Sequence, residues 1–301
     1  LFNLSLTRLL QGDYKHGWPL YESRCHGKQF EAVAPPSSGA RINSLDQLDA
    51  LNAREVLVWC EQGLGDAIQF CRYLPLLQTR GLRVSLSSRP SLIPLFRNWL
   101  SLPVDDVIDE RELKASQEFR PHLPMLSLPP LFGTELTTIP ATIPYLQPPG
   151  PPPQHLLVPE PLGGLAIGMV WGSSPLNRRM VHHKSWPLLQ LLQPLLAAID
   201  NSLIYLHSLQ LGDERQQLLP LLPREGITDW APELQNFSDT AHVVSQLDLV
   251  ITTDTAVAHL AGALGVPTWV LLPFNADFRW MQEIDHSPWY PGMRLFRQRR
   301  P

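Results

Sequence analysis

From residue 165 to residue 273 the sequence alternates, almost without interruption, between short apolar runs and longer stretches of helical spacing. The runs "LAIGMVW", "SLIYLHSL", "ITDWA", "DLVITT" and "PTWVLLP" predict strands. Between them, "SWPLLQLLQPLLAAI", "DERQQLLPLL", "SDTAHVVSQL" and "DTAVAHLAGALG" predict helices. Strands this apolar are buried on both faces, and intervals this long carry crossovers, so the pattern demands a parallel sheet covered by helices on each side. A shorter version comes earlier. "REVLVWC" predicts a strand through Val56, Leu57, Val58 and Trp59, and "LRVSLSS" and "VDDVID" predict two more. "DAIQFCRYLPLLQTRG" predicts one helix with Ile68, Phe70, Cys71 and Leu74 on a shared face and Gly81 at its end. The fold class is therefore α/β, with two Rossmann-like halves whose ligands belong at the carboxyl ends of the strands.

The proline-rich stretch "PPGPPPQHLLVPEPLGG" cannot join a helix and reads as a stiff linker between the halves. This gives three expected segments: 1–40 helical, 41–150 the first Rossmann-like domain, and 151–301 the second. The opening "LFNLSLTRLLQGDYKHGWPLYESR" reads as two helices around a turn. One such pair cannot bury its own apolar face, so it should lean on the first domain or continue a helical repeat array. The chain opens on Leu1, not methionine, and is expected to be a piece of a longer protein. A net charge of -4 argues against a general nucleic-acid binder. Cys25, Cys60 and Cys71 form neither a disulfide framework nor a metal-ligand pattern, which fits a reducing cytoplasm. No apolar run reaches the ~18 residues of a transmembrane helix, and no signal peptide is visible.

Three turns carry candidate chemistry. In "VWCEQGLGDAIQF" a strand ends in a glycine-flanked turn with Asp66 at the start of a helix. Asp is a preferred helix cap, worth about 1 kcal/mol, and that is the bland reading. Yet a carboxylate there occupies the anion site itself and is suited to accept a proton from a hydroxyl. As a base it should face solvent; as a cap its oxygens should turn onto its own helix amides. In "VITTDTAVAHLAGALGVP" the amides of Thr255, Ala256 and Val257 head a helix, an arrangement that binds phosphate. The hydroxyls of Thr253 and Thr255 can add hydrogen bonds. His259 lies one turn on, where a lone histidine is more often structural, and Asp254 has the same cap reading as Asp66. In "GSSPLNRRMVHHKSWP" Arg178, Arg179 and Lys184 supply positive charge between a strand and a helix, suited to a departing diphosphate. His182 and His183 have no further ligands at metal-binding spacing, so no metal site is expected.

With these turns in view, the sequence resembles glycosyltransferase family 9, the heptosyltransferase-like proteins, and in particular a bacterial branch in which the domain follows tetratricopeptide repeats. The residues that carry the likeness are "EQGLGDAIQFCRYLPLL", "LPMLSLPPLFGT", "IPATIPYL", "IGMVWGSSP", "KSWP", "TDTAVAHLAGALGVPTWVLLP" and "SPWYPGMRLFRQ". The resemblance implies a GT-B fold, two Rossmann-like domains facing a cleft, and an inverting, metal-independent transfer from a nucleotide diphosphate sugar. It implies that Asp66 is the catalytic base and that Lys184 contacts donor phosphate. It implies that Asp254, Thr255 and His259 belong to the diphosphate motif, with Ala256 standing where the family has Gly. The turn of Gln62, Gly63 and Gly65 then faces the acceptor. The opening helices resemble the end of a repeat array.

The main expectation is thus a soluble glycosyltransferase, without a cofactor, acting on a glycan or protein hydroxyl. Gln210 and Asn236, in loops after later strands, are expected on the nucleoside. The alternative is a degenerate GT-B fold serving as a scaffold beside the repeats.

Overall fold

The computed structural model describes residues 1–27, 30, 34, 39–97, 99, 106–115, 120–159, 163–173 and 184–300. They fall into two compact units: Leu1–Tyr145 with Asp277–Glu283, and Leu146–Ala276 with Ile284–Pro301.

The first unit is built on a parallel sheet of β1 (Glu55–Trp59), β2 (Arg83–Ser88), β3 (Asp106–Asp109) and β4 (His122–Pro124), in the order β3-β2-β1-β4. The chain runs from β1 to β2 to β3 on one side, then crosses to place β4 on the other. The strand order therefore reverses between β1 and β4, and the carboxyl ends of these two strands frame the crevice of the sheet.

Two N-terminal helices, α1 (Phe2–Leu10) and α2 (Tyr14–Tyr21), belong to this unit. They approach closely because Gly17 has no side chain: a Cβ there would lie 2.7 Å from Leu9. Leu9, Tyr14, Trp18 and Tyr21 are buried. Trp18 meets Phe70 and Phe278 edge-on, at centroid distances of 6.0 and 5.8 Å, so the pair is packed onto the unit by aromatic contacts.

The helix expected after β1 is divided. α3 (Leu64–Phe70) is followed by a 3₁₀ turn (Cys71–Tyr73) and a further helix (Leu74–Gln78). Pro75 has no N–H for the fourth residue back, which breaks the ladder there. The same cause divides the helix after β5 into Leu188–Leu192 and Leu196–Asp200 around Pro194. "DERQQLLPLL" forms 3₁₀ turns, Asp213–Gln217 and Leu219–Leu221, in place of a helix.

The second unit carries β5 (Leu165–Val170), β6 (Ile204–Ser208), β7 (Ile227–Asp229), β8 (Leu249–Thr253), β9 (Thr268–Leu272) and β10 (Met293–Arg297). All neighbours are parallel, in the order β10-β9-β8-β5-β6-β7. Its central strand shows why both faces must be covered. Ala166 and Val170 join one apolar cluster with Val243, Val244 and Ala261, from α4 (Phe237–Val244) and α5 (Ala256–Leu264). Ile167, Met169 and Trp171 point the other way and pack with Leu188, Leu192 and Ile199. Here the order reverses between β5 and β8.

The proline-rich stretch is not a free tether. Leu156 is fully buried in the core of the second unit, its carbonyl accepts from Gln246 Nε2 at 2.9 Å, and Gln246 Oε1 accepts from the Val158 amide at 3.1 Å. The leucine sits in a short 3₁₀ turn, Gln154–Leu156, within the proline-rich stretch.

Each unit also holds one tryptophan–histidine pair. Trp59 Nε1 donates to His122 Nδ1 at 3.3 Å, and Trp230 Nε1 donates to His207 Nδ1 at 3.1 Å. Burial lowers the pKa of both imidazoles, that of His207 to about 4. Among the described residues no helix is long and apolar enough to cross a membrane.

Candidate functional site

At the β1/β4 crevice of the first unit, the chain leaves Trp59 through Glu61, Gln62 and Gly63 into α3. Gly63 is the N-cap, and Asp66 is the third residue of the helix, in the first turn and within the helix start that the sequence predicts. Asp66 Oδ2 accepts from the Gly63 amide at 2.7 Å. A Cβ on Gly63 would stand 3.0 Å from that same oxygen, so a residue without a side chain suits the contact. Gly65 lies in the first turn of α3. Asp66 Oδ1 pairs with Arg279 Nη2. The Asp66 side chain is 19% exposed and that of Arg279 7%. One oxygen thus does what a cap does, and the other is held by a long-range ion pair with Arg279.

Arg279 comes from the segment Asp277–Glu283, which packs with the first unit although it lies between β9 and β10 in the chain. Its Nη1 donates to Asp277 Oδ1 at 2.7 Å, and its guanidinium lies over the rings of Phe278 and Phe70, at 4.4 and 5.5 Å. Burial disfavours its charge, but Asp277 and Asp66 outweigh burial and hold the group protonated. Tyr21 from α2 completes the surroundings. Its phenol oxygen accepts from Gln62 Nε2 at 2.8 Å, and burial pushes its pKa up to about 12. Beside this cluster, Arg24 bridges Glu22 and Glu61, at 2.5 and 2.8 Å, and Ser127, following β4, donates to Glu22. The Glu61 side chain is buried, and burial raises its pKa against the pull of Arg24. The N-terminal helical segment is therefore wired into the crevice by Tyr21–Gln62 and Arg24–Glu61.

At the β5/β8 crevice of the second unit, α5 begins just after Thr255, its N-cap. The Thr255 side chain makes no cap bond; its hydroxyl pairs with that of Thr252 at 3.0 Å. The amides of Ala256 and Val257 are first-turn donors with no carbonyl partner inside the helix. Thr253 is fully buried, and among the described residues its Oγ1 has no hydrogen-bond partner. Asp254 Oδ2 accepts from Lys184 Nζ at 2.5 Å, with the two side chains 7% and 18% exposed. Lys184 is brought back to β5 by its neighbours: Trp186 N donates to Trp171 O at 2.8 Å, and Ser173 N to Ser185 Oγ at 3.1 Å. A buried-side cation and a helix N-terminus thus meet at the reversal point of the sheet, where anion binding is favoured.

Three other expected residues make contacts within their own unit. His259 is buried on α5 with Nδ1 3.0 Å from the Tyr290 hydroxyl, a packed core contact. Gln210 Oε1 accepts from the amides of Trp171 and Gly172, at 3.0 and 2.7 Å, and Nε2 donates to Leu211 O at 2.8 Å. Asn236 caps α4 by accepting from Ser238 N and Asp239 N. The Gln210 amide is bonded to backbone on both sides, and Asn236 Nδ2 donates to Asp239 Oδ2 at 2.9 Å. Arg178, Arg179, His182 and His183 lie outside the described residues. Among the described residues no group of three or more His, Cys, Asp or Glu side chains is arranged to hold a metal ion.

Residues 200–271 match the sequence profile of glycosyltransferase family 9 (heptosyltransferase). This stretch runs from before β6 through β9 and contains Asp254, Thr255 and α5. The chain is 27% identical to Protein FlbA of Caulobacter vibrioides over 311 aligned positions, covering 96% of this chain and 50% of that protein. It therefore spans half the length of this curated relative. Two solved structures share its fold. The family 9 glycosyl transferase from Veillonella parvula superposes with a TM-score of 0.59 at 12% identity, covering 82% of this chain and 88% of that one. The E. coli ADP-heptose LPS heptosyltransferase II superposes with a TM-score of 0.55 at 16% identity, covering 80% and 90%. At these identities the likeness concerns the fold, which is α/β with parallel sheets, as in these GT-B relatives. Residues 200–271 are thus similar in sequence to glycosyltransferase family 9 (heptosyltransferase), and the chain shares its fold with the Veillonella parvula and E. coli structures.

Proposed function

We propose that this chain is the glycosyltransferase part of its protein, transferring a sugar with inversion from a nucleotide diphosphate sugar to a hydroxyl acceptor. The observation that carries the reading is Lys184 drawn to the N-terminus of α5 at the β5/β8 reversal. A diphosphate there would accept from the amides of Ala256 and Val257 and take Lys184 as its counter-charge. As the leaving group gains negative charge in the transition state, fixed donors and a cation stabilise it. Asp66 is the proposed base. It would take the acceptor proton as the hydroxyl oxygen attacks the anomeric carbon from the face opposite the diphosphate. Lys184 and the helix amides supply the positive charge a divalent ion supplies elsewhere, so transfer is expected to persist in chelator.

The acceptor, a glycan or a protein side chain, is proposed only by class. The helix pair α1–α2 is proposed to end a tetratricopeptide-like array: Phe2 and Leu4 are exposed on α1, an apolar edge that a preceding helix would cover. The site is proposed to work in the cytoplasm, where nucleotide sugars are made.

The test is calorimetric titration with UDP, ADP, GDP and CDP at matched salt, on the native chain and on Lys184→Ala. One diphosphate bound well by the native chain and at least ten-fold worse by the variant is expected. Equal affinities would remove Lys184 from the donor site. Binding of none of the four would favour the scaffold alternative.

A further inference from the structure

We propose that Arg279 is a positioning residue for Asp66: it fixes the orientation of that carboxylate and keeps it ionised, and so sets the pH above which the chain can accept a proton. The proposal rests on the reading of Asp66 as the base. Its grounds are geometric. Asp66 has each carboxylate oxygen on a different donor, Oδ2 on the Gly63 amide and Oδ1 on Arg279. A carboxylate held by the amide alone can turn about its last bond; a second donor on the other oxygen fixes its plane. Arg279 in turn has little freedom. Asp277 holds Nη1, Phe278 and Phe70 flank the guanidinium, and the side chain is 7% exposed.

The chemistry fits positioning and not proton transfer by Arg279 itself. A guanidinium cannot give up its proton in a protein, so Asp66 remains the proton acceptor of the pair. Its fixed positive charge favours the ionised carboxylate. Among the described residues, the other charged or titratable groups around the pair include Tyr21 on α2, Arg24 and Glu61 beside it, and Asp277 on the return segment. Asp277 shares the guanidinium, so it moderates the effect of Arg279 on Asp66. This arrangement also gives the segment Asp277–Glu283 a purpose: it carries into the first unit a cation that the β1–α3 turn does not itself contain.

The experiment reads the Asp66 carboxyl directly, in the full chain, by carbon NMR titration with aspartate labelling; Asp66→Asn assigns the resonance. In Arg279→Met the Asp66 midpoint is expected to rise by about 1–3 pH units. Arg279→Lys, which keeps the charge and loses the planar fork, should restore most of that shift. An unchanged midpoint in a folded Arg279→Met chain overturns the proposal. Should that variant fail to fold, Asp277→Asn decides the matter with the opposite sign. It leaves the whole guanidinium charge to Asp66, so the midpoint must fall; a midpoint that stays or rises overturns the proposal. Once donor and acceptor are identified, the acid limb of the transfer rate should move with the midpoint in Arg279→Met and return in Arg279→Lys. If Asp66→Asn still transfers sugar while the midpoint shifts as expected, the base assignment fails and the Arg279 contact stands. A midpoint that moves while the acid limb stays fixed, with Asp66→Asn inactive, overturns the positioning role and spares the base.

Discussion

Replacing Asp254 by Asn should tighten diphosphate binding, and replacing Lys184 by Ala should weaken it by more than one lost contact. The Lys184 ammonium is 2.5 Å from the Asp254 carboxylate, with the side chains 18% and 7% exposed. An incoming diphosphate must therefore share Lys184 with a charge already in place. Taking away Lys184 removes a charge-assisted hydrogen bond worth about 1.5–3 kcal/mol. It also leaves the nearly buried Asp254 carboxylate uncompensated beside the incoming phosphate. At ~5 Å separation and an effective dielectric constant of ~20, that repulsion is about 3 kcal/mol per unit charge. The two losses together predict affinity down by roughly three to four orders of magnitude in Lys184→Ala. The double variant Lys184→Ala/Asp254→Asn should recover the repulsive part and bind only about 10–150-fold worse than the native chain. Asp254→Asn alone should bind at least as tightly as native. Calorimetry with the preferred nucleoside diphosphate, at fixed ionic strength, orders the four proteins. If Asp254→Asn binds as poorly as Lys184→Ala, the carboxylate is a partner of the ligand and not a competitor for the lysine, and the reasoning is refuted.

Asp66→Asn should leave diphosphate affinity unchanged and abolish transfer, but it should also lower stability by about 2–3 kcal/mol in denaturant unfolding, because buried Arg279 keeps only Asp277 as a full counter-charge; an undisturbed unfolding midpoint would mean the ion pair contributes nothing. Gln210→Ala should cost about 1–3 kcal/mol by leaving the buried amides of Trp171 and Gly172 without their acceptor. Loss of nucleotide binding at full stability would instead make Gln210 a ligand contact. His207 is neutral in the folded chain, its pKa lowered by burial from 6.5 to about 4, whereas in the unfolded chain it takes a proton near the ordinary value. Its contribution is therefore fully present above pH ~6.5 and is lost as the pH falls toward 4, with a ceiling of about 3 kcal/mol at ~1.4 kcal/mol per unit. Urea titrations at pH 7 and pH 4.5 should show a shallower pH dependence in His207→Asn; equal slopes would acquit this histidine.

Much of the second unit was legible because its signals are local. The runs around β5, β8 and β9 are apolar on both faces, and "TTDT" marks a strand end and a helix start within four residues. The β8–α5 turn follows from that alternation. Elements that depend on a partner were not legible. β4 has three residues, one of them Pro124, and is a strand only because β1 offers it a ladder. β10 lies in a stretch dense with aromatics and turns, and pairs with β9 in parallel. The contact between Arg279 and Asp66 spans 213 positions and has no periodicity to betray it; the one cue is an arginine between two aromatics in "DFRW". The lysine–aspartate pair spans 70 positions, and each member alone reads as a phosphate ligand or a cap.

The return segment has a consequence for anyone who recombines this protein with its relatives. A crossover placed between residues 145 and 146 looks clean on paper, since it separates the two sheets. A chimera made there would inherit Asp66 and Phe70 from one parent, and Asp277, Phe278 and Arg279 from the other. The first unit is therefore not a contiguous gene fragment. A faithful exchange must move codons 277–283 together with codons 1–145, as two cassettes. A library that shuffles them independently would sort its members by whether the two cassettes share a parent.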